Sequence, residues 1–376
     1  MRSRTLSDAT VASAIADTPA LVIDRSAFQA NLTTMARLAK ERGIGLRPHA
    51  KSHKSVTIAK AQMEAGAVGQ CCAKLGEVEV MAAAGIRGLL LTTPMRGPAK
   101  IRRLLDVLRT APDTMIVVED VAAVHDLEAA TSAAGLTLDL MIDVDVGTHR
   151  TGLTSVEAAL DVARAIAAAP SLRLKGVQGY AGHVQSIRDY QERRGRSHEA
   201  LAILGRVRDG LEEAGFPCAI VSGAGTGTHD FDHEVGVLIE LQVGSYLFSD
   251  VIYDTVAMTP DGQKRWKNSL FVVTSVLSSQ HGGFATTDAG IKSFSTDGPA
   301  PVIHHGAPAG ATYALFGDEM GRVISADPLA RLPIGTRVAC IVPHCDPNVN
   351  LFDRYVVVEN GEIVDEWPIE ARGKVA

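Results

Sequence analysis

The chain has 376 residues, enough to bury one large core and a smaller second one, and its 46% hydrophobic and 21% charged residues are the balance of a globular protein. A net charge of −6 gives no electrostatic basis for binding nucleic acid or an anionic membrane. No apolar run is long enough to cross a bilayer, and the opening MRSRTLSDAT lacks the apolar stretch of a signal peptide. The cysteines (Cys71, Cys72, Cys218, Cys340 and Cys345) are odd in number and follow no framework spacing, so reduced thiols and a cytoplasmic location are expected.

In chain order, TPALVIDRSAF reads as a first strand and turn, ANLTTMARLAKERG as a helix stopping at Gly43, and IGLRPH as a strand. The alternation then repeats: SVTIAKAQMEAG leads to AVGQCCA, GEVEVMAAAG to GLLLTT, AKIRRLLDVLRTA to TMIVVE, and VAAVHDLEAATSAAG to LTLDLMIDVD. SVEAALDVARAIAAA precedes LRLKGVQGY, SHEALAILGRVRDGLEEAG precedes CAIVSG, and VLIELQVG closes the series. Helices open at polar caps and stop at glycine. The strands are short and apolar on both faces, as parallel strands covered by helices must be. Eight such strands predict a (β/α)8 TIM-type barrel over residues 26–255, with a doubly wound open sheet as the alternative.

Past residue 255 the pattern changes to strands joined by turns: NSLFVVTSVLSSQ, FATTDAG, ATYALFG, RVACIVP and RYVVVENGEIVDEWPI, where NGE marks a hairpin reversal. Residues 256–376 therefore read as a C-terminal β domain, and residues 1–25 as an N-terminal segment packing with it.

Barrel enzymes carry their reactive groups at the C-terminal ends of the strands. RPHAKSHK (47–54) follows the first barrel strand directly and puts Lys51 at the mouth, where a lysine whose charge is suppressed becomes a nucleophilic amine suited to a Schiff base. Lys74, after the second strand, has a similar placement. SGAGTGTHD (222–230) and QVGSY (242–246) follow the seventh and eighth strands, where barrels commonly bind phosphate through backbone N–H groups. The spacing of Gly223, Gly225 and Gly227 is not that of a dinucleotide fingerprint. A phosphate site facing a mouth lysine is what pyridoxal 5'-phosphate requires. VDVGTHRTG (144–152) and QGYAGHVQ (178–185) bring Arg150, Tyr180 and His183 to the same rim, as an anion-holding cation, a neighbour for a ring nitrogen and a base near neutral pH. In PHCDPNVNLFD (343–353), an extended segment would send His344 and Asp346 out on one face with Cys345 on the other, a nitrogen and an oxygen donor for Mn²⁺, Mg²⁺ or Zn²⁺. His229, Asp230, Asp232 and His233 form a rival cluster, read as the end of the phosphate loop.

TPALVIDRSAFQANL, RPHAKSHK, QGYAGH, SGAGTGT, ELQVGSY and PHCDPNVNLFDRYVVVENGEIVDEWPIEARG resemble, in order and over nearly the whole chain, the D-threonine aldolase and D-serine dehydratase family of pyridoxal-phosphate enzymes with the alanine-racemase-like fold. The resemblance implies that Lys51 carries the cofactor and that Ser222, Gly225, Thr226, Gly244 and Ser245 hold its phosphate. It implies Tyr180 beside the pyridine nitrogen, Arg150 near the phenolic oxygen, and a homodimer in which one subunit's β domain completes the other's site. D-serine dehydratases of the family differ at the metal pair, carrying His-x-Cys, whereas this chain has the harder oxygen of Asp346. Met320 in FGDEMG departs from the histidine of many relatives, which bears on the substrate pocket.

The reaction so implied is retro-aldol cleavage of D-3-hydroxy-α-amino acids, such as D-threonine to glycine and acetaldehyde. His183 or a metal-bound hydroxide takes the β-hydroxyl proton. The alternatives are a D-serine or D-3-hydroxyaspartate dehydratase, a 3-hydroxy-D-aspartate aldolase, which needs a further cation for the distal carboxylate, and a pyridoxal-phosphate-binding protein without catalysis.

Overall fold

A computed structural model describes residues 12, 14, 15 and 17–376. The described chain enters through strand β1 (Ala20–Asp24) and passes directly into helix α1 (Arg25–Glu41). The helix begins earlier than its apolar pattern because the Asp24 carboxylate accepts from the Ala27 amide at 3.0 Å, capping the first turn.

Eight parallel strands follow: β2 (Gly45–Leu46), β3 (Gln70–Cys72), β4 (Leu89–Leu91), β5 (Met115–Val118), β6 (Leu138–Asp143), β7 (Leu172–Gly179), β8 (Ile220–Gly223) and β9 (Glu240–Leu241). Their order in the sheet is β2-β9-β8-β7-β6-β5-β4-β3. The two ends meet, with Val68 N–H donating to the Leu46 carbonyl at 2.7 Å and Cys71 N–H to the Pro48 carbonyl at 2.8 Å. This closure makes a barrel and removes the open-sheet alternative. Beyond Leu46 the chain still pairs on its β9 side, His49 N–H donating to the Val243 carbonyl at 2.9 Å, while Pro48, which has no N–H, only accepts from the β3 side.

The helices on the outside are α2 (Val56–Glu64), α3 (Leu75–Ala83), α4 (Pro98–Thr110), α5 (Val121–Ala134), α6 (Val156–Ala167) and α7 (Tyr190–Glu213). The last starts well before SHEALAILG because Asp189 caps it through the Glu192 amide at 2.7 Å. Inside the barrel, Cys71, Leu90, Met115, Val117 and Met141 form one apolar cluster. Arg47 on the way out of β2 meets Glu240 of β9 in a buried two-point ion pair, with N–O distances of 2.7 and 2.8 Å.

The C-terminal part is an antiparallel β domain: β10 (Leu270–Ser278), β11 (Phe284–Thr287), β12 (Val302–His305), β13 (Thr312–Leu315), β14 (Gly321–Ile324), β15 (Arg337–Ile341), β16 (Arg354–Glu359) and β17 (Glu362–Pro368). β1 joins this sheet, antiparallel to β10 and parallel to β16. β16 and β17 form the hairpin read from NGE, and Asn360 (φ 54°) and Gly361 (φ 84°) both take the left-handed conformation that a two-residue hairpin turn demands. β12 and β14 were not read from the sequence. Two short helices complete the frame: α8 (Val251–Asp254) at the end of the barrel and α9 (Cys345–Asn348) after β15.

The two parts are sewn together around residues 53–56. Tyr355 donates its hydroxyl to the His53 carbonyl at 2.6 Å, Ala371 N–H reaches the Lys54 carbonyl at 3.0 Å, and Glu370 accepts from the Val56 amide at 2.9 Å. The chain just after Lys51 is thereby fixed by the β domain.

Candidate active site

Lys51 lies in a single 3₁₀ turn, Ala50–Ser52, at the C-terminal end of β2. The turn begins at His49, whose Nδ1 accepts from the Lys51 amide at 3.4 Å and whose Nε2 meets Thr92 Oγ1 at 3.2 Å. Lys51 Nζ stands 3.5 Å from Asp346 Oδ2 of the β domain and 5.6 Å from the centre of the Tyr180 ring. Arg150 is a second neighbour of that ring, with its guanidinium carbon 5.8 Å from the centre. Residues from three barrel loops and the β domain thus converge within one side chain's length. Lys74 is exposed at the cap of α3 and takes no part.

Electrostatics follow from this packing. Burial works to lower the Lys51 pKa, but the Asp346 carboxylate and Tyr180 outweigh it, so the ammonium form is favoured above its ordinary value. Asp346 titrates at about 2: burial alone would raise it, and Lys51, His344 and Lys54 overcome that penalty. His49 lies well below the usual imidazole range through burial and the adjacent Lys51, and His53 is pushed down to about 3 through burial and Lys54. Both histidines are neutral at pH 7 and pack around the lysine.

The floor of the mouth is a polar network. Gln242 Nε2 donates to Ser222 Oγ at 2.9 Å and to Gln178 Oε1 at 3.0 Å, and Gln178 Nε2 donates to Asp143 at 3.0 Å. Burial raises Asp143 to about 6 despite the hydrogen bonds from Gln178 and Thr151. Thr92, Asp143, Thr151, Gln178, Arg150 and Tyr180 line a shallow pocket above it. Thr92, Gln178 and Asp143 were not singled out from sequence, because single polar residues at strand ends carry no spacing signal.

The loops after β8 and β9 lie beside Lys51. Gly225 is pressed against Gln185, whose Oε1 would be 2.4 Å from any added Cβ, and a Cβ added at Gly244 would come within 3.2 Å of Ser52 Oγ. Thr226 Oγ1 accepts from the Tyr246 amide at 3.1 Å, tying the two loops together. Ser245 opens a 3₁₀ turn, Ser245–Leu247, leaving its own amide at the turn's N-terminus. Amides crowded into a glycine-lined cradle, with an adjacent lysine, fit a phosphate-bearing aldehyde cofactor.

His183 sits on a 3₁₀ turn after β7, exposed, with Nδ1 3.2 Å from Thr148 Oγ1. Its pKa is lowered by partial burial and by Arg196. The rival cluster is structural. Asp230 is held by Arg42 and Arg265, each at 2.7 Å, and by the Tyr190 hydroxyl at 2.8 Å, while Asp232 is buried against Ser197 Oγ at 2.6 Å.

The His344–Asp346 segment differs from the extended form expected. His344 is extended (φ −145°, ψ 123°), but α9 begins at Cys345, whose amide is captured by Asp250 Oδ2 at 2.9 Å. Cys345 is fully buried and its Sγ lies 3.4 Å from Asp346 Oδ1. His344 and Asp346 still interact, as the lowering of the Asp346 pKa by His344 records. Among the described residues no group of three or more His, Cys, Asp or Glu side chains is placed to hold a metal ion. His344 and Asp346 would offer a cation two protein donors, an imidazole nitrogen and a carboxylate oxygen. The Lys51 ammonium already occupies a cation's place on Asp346. That donor chemistry fits a hard or borderline divalent ion.

Fold and site together define an alanine-racemase-like barrel enzyme frame. The family described as "Alanine racemase, N-terminal domain" matches residues 23–250, and "Putative serine dehydratase domain" matches residues 269–358. The chain is 38% identical over 362 residues to a 3-hydroxy-D-aspartate aldolase from Paracoccus denitrificans (95% of this chain, 92% of that one). It is 37% identical over 358 residues to a D-threonine aldolase from Arthrobacter sp (95% and 93%). Among solved structures, D-threonine aldolase from Filomicrobium marinum superposes with a TM-score of 0.90 at 37% identity, covering 96% of each chain. D-threo-3-hydroxyaspartate dehydratase from Delftia sp. HT23 follows at 0.86 and 26%, covering 95% and 98%. The chain belongs to the D-threonine aldolase and D-serine dehydratase family, a pyridoxal-phosphate-dependent branch of the alanine-racemase-like fold.

Proposed function

We propose that this protein is a carbon–carbon lyase that cleaves D-3-hydroxy-α-amino acids, D-threonine to glycine and acetaldehyde. The observation that carries the reading is Lys51 Nζ at the barrel mouth, 3.5 Å from the Asp346 carboxylate that the β domain inserts. Pyridoxal 5'-phosphate, when bound, supplies an aldehyde for an amine and a ring that accepts the electron pair released at Cα. Lys51 holds and releases the cofactor. Ser222, Gly225, Thr226, Gly244 and Ser245 bind its phosphate, Tyr180 faces its ring nitrogen, and Arg150 neutralises its phenolic oxygen. His344 and Asp346 would hold a divalent ion, Mn²⁺ or Mg²⁺, which would supply Lewis acidity toward the substrate β-hydroxyl. His183, neutral at pH 7, takes that proton. The barrel spans residues 26–255, the β domain with its metal pair residues 256–376, and two copies form a homodimer in the cytoplasm.

The relatives at 38% identity support a second reading within the same chemistry, a 3-hydroxy-D-aspartate aldolase. The test is a product assay on the purified protein supplied with pyridoxal phosphate and Mn²⁺. Glycine and acetaldehyde from D-threonine, with none from L-threonine, is the expected result. Glycine and glyoxylate from D-3-hydroxyaspartate alone selects the second reading, and a keto acid with ammonia overturns both in favour of a dehydratase.

A further inference from the structure

The pair proposed to hold a divalent ion is not free-standing. His344 Nδ1 lies 2.7 Å from Asp297 Oδ2, a residue from the loop between β11 and β12. A carboxylate at neutral pH can only accept, so Nδ1 carries the hydrogen and Nε2 is left as the nitrogen with a free lone pair. The ring's tautomer and its orientation are set by this one bond.

The loop that carries Asp297 is itself fixed to the metal-bearing turn. Asn348, fully buried at the end of α9, accepts from the Ser295 amide at 3.0 Å and donates to the Ser293 carbonyl at 3.4 Å. Ser295 Oγ also reaches back to the His344 carbonyl at 3.4 Å. The segment 293–297 is thus stitched on its buried side to α9, and its outer end delivers a carboxylate to the far nitrogen of His344. Asp297 has 51% of its side chain exposed, so it makes no contribution to the core that would explain its place.

The geometry points to Asp297 as a positioning residue: it orients His344 and raises the basicity of Nε2 toward a divalent cation, with Asn348 holding Asp297 in register. This inference rests on the metal reading above and extends it outward by one layer of contacts. Outer carboxylates of this kind typically contribute about 10–100-fold in metal affinity.

The experiment is Mn²⁺ titration of the pyridoxal-phosphate-loaded protein, read by the paramagnetic signal of free Mn²⁺, with cofactor absorbance followed in the same samples. Asp297→Ala is expected to weaken Mn²⁺ binding about 10–100-fold. Asp297→Asn, whose amide oxygen still accepts from Nδ1, should fall between it and the unaltered protein, and cofactor absorbance should be unchanged in both. Mn²⁺ affinity of Asp297→Ala indistinguishable from the unaltered protein, while His344→Ala is impaired, overturns the role of Asp297 and leaves the metal reading standing. Unimpaired binding in His344→Ala overturns the metal reading and this inference with it.

Discussion

The barrel and the β domain reach the same site by different means. On the barrel side, Lys51 emerges from a wall of buried groups: His49 and Ser52 beneath it, the Gln242–Gln178–Asp143 network beside it, and the Arg47–Glu240 pair in the barrel below. On the β-domain side, His344 and Asp346 sit on a turn and the first residues of a four-residue helix, pinned by Asp250 and Asn348 and mostly buried. The difference separates the labours of the site. The lysine is framed by buried polar groups of the barrel itself, whereas the pair proposed to hold an ion is framed by contacts that exist only once the β domain has packed.

The strongest way to break this comparison is to remove each side in turn. Lys51→Ala should reduce activity to background and abolish the absorbance of covalently held cofactor, while Lys74→Ala, at an exposed cap, should leave both intact. Equal losses in the two variants would overturn the assignment. Asp346→Ala should lower kcat/KM on the order of 10³-fold, the worth of a positioned cation, and keep the cofactor absorbance. If the cofactor is lost too, the two sides are not separable.

The rigidity of the barrel side is open to a stability measurement. Arg47→Ala leaves Glu240 buried in the barrel without its partner and should cost about 3–5 kcal/mol in urea unfolding. A change within the scatter of surface substitutions would mean that water reaches the pair.

A smaller effect should appear at Asp232, away from the site. Burial raises its pKa to about 7 from an ordinary 3.8, despite hydrogen bonds from Ser197 and Thr228. Between pH 3.8 and 7 the folded protein keeps a proton that the unfolded chain has lost, so this group's contribution to stability falls as pH rises through that window. Asp232→Asn should therefore raise the melting temperature at pH 8 more than at pH 4. Equal shifts at the two pH values would show that the carboxylate is not being neutralised by burial.

Much of the frame was legible because it is written in local chemistry. The eight strand–helix units follow from apolar runs and caps, and the hairpin from Asn360–Gly361. The lysine in RPHAKSHK and the loops at 222–228 and 242–246 were legible through position, as residues at the C-terminal ends of barrel strands. Helix starts were missed where the cap came early, at Asp24 and Asp189, because both precede their apolar pattern by several residues. The His344–Asp346 pair was legible from its spacing, but the helical turn that replaces the expected extended form was not, because the Asp250 carboxylate that captures the Cys345 amide lies far off in sequence.

Periodicity, capping and glycine placement are interactions between near neighbours, and they determined this chain's element types, their order and the identity of its mouth residues. Closure of the barrel through Pro48 and Cys71, the pairing of β1 with β10 and β16, the seating of Asp346 against Lys51 and the capture of His344 by Asp297 were decided only in three dimensions. Each joins residues whose individual environments carry no mark of the partner, and such contacts exist only once the two parts have packed.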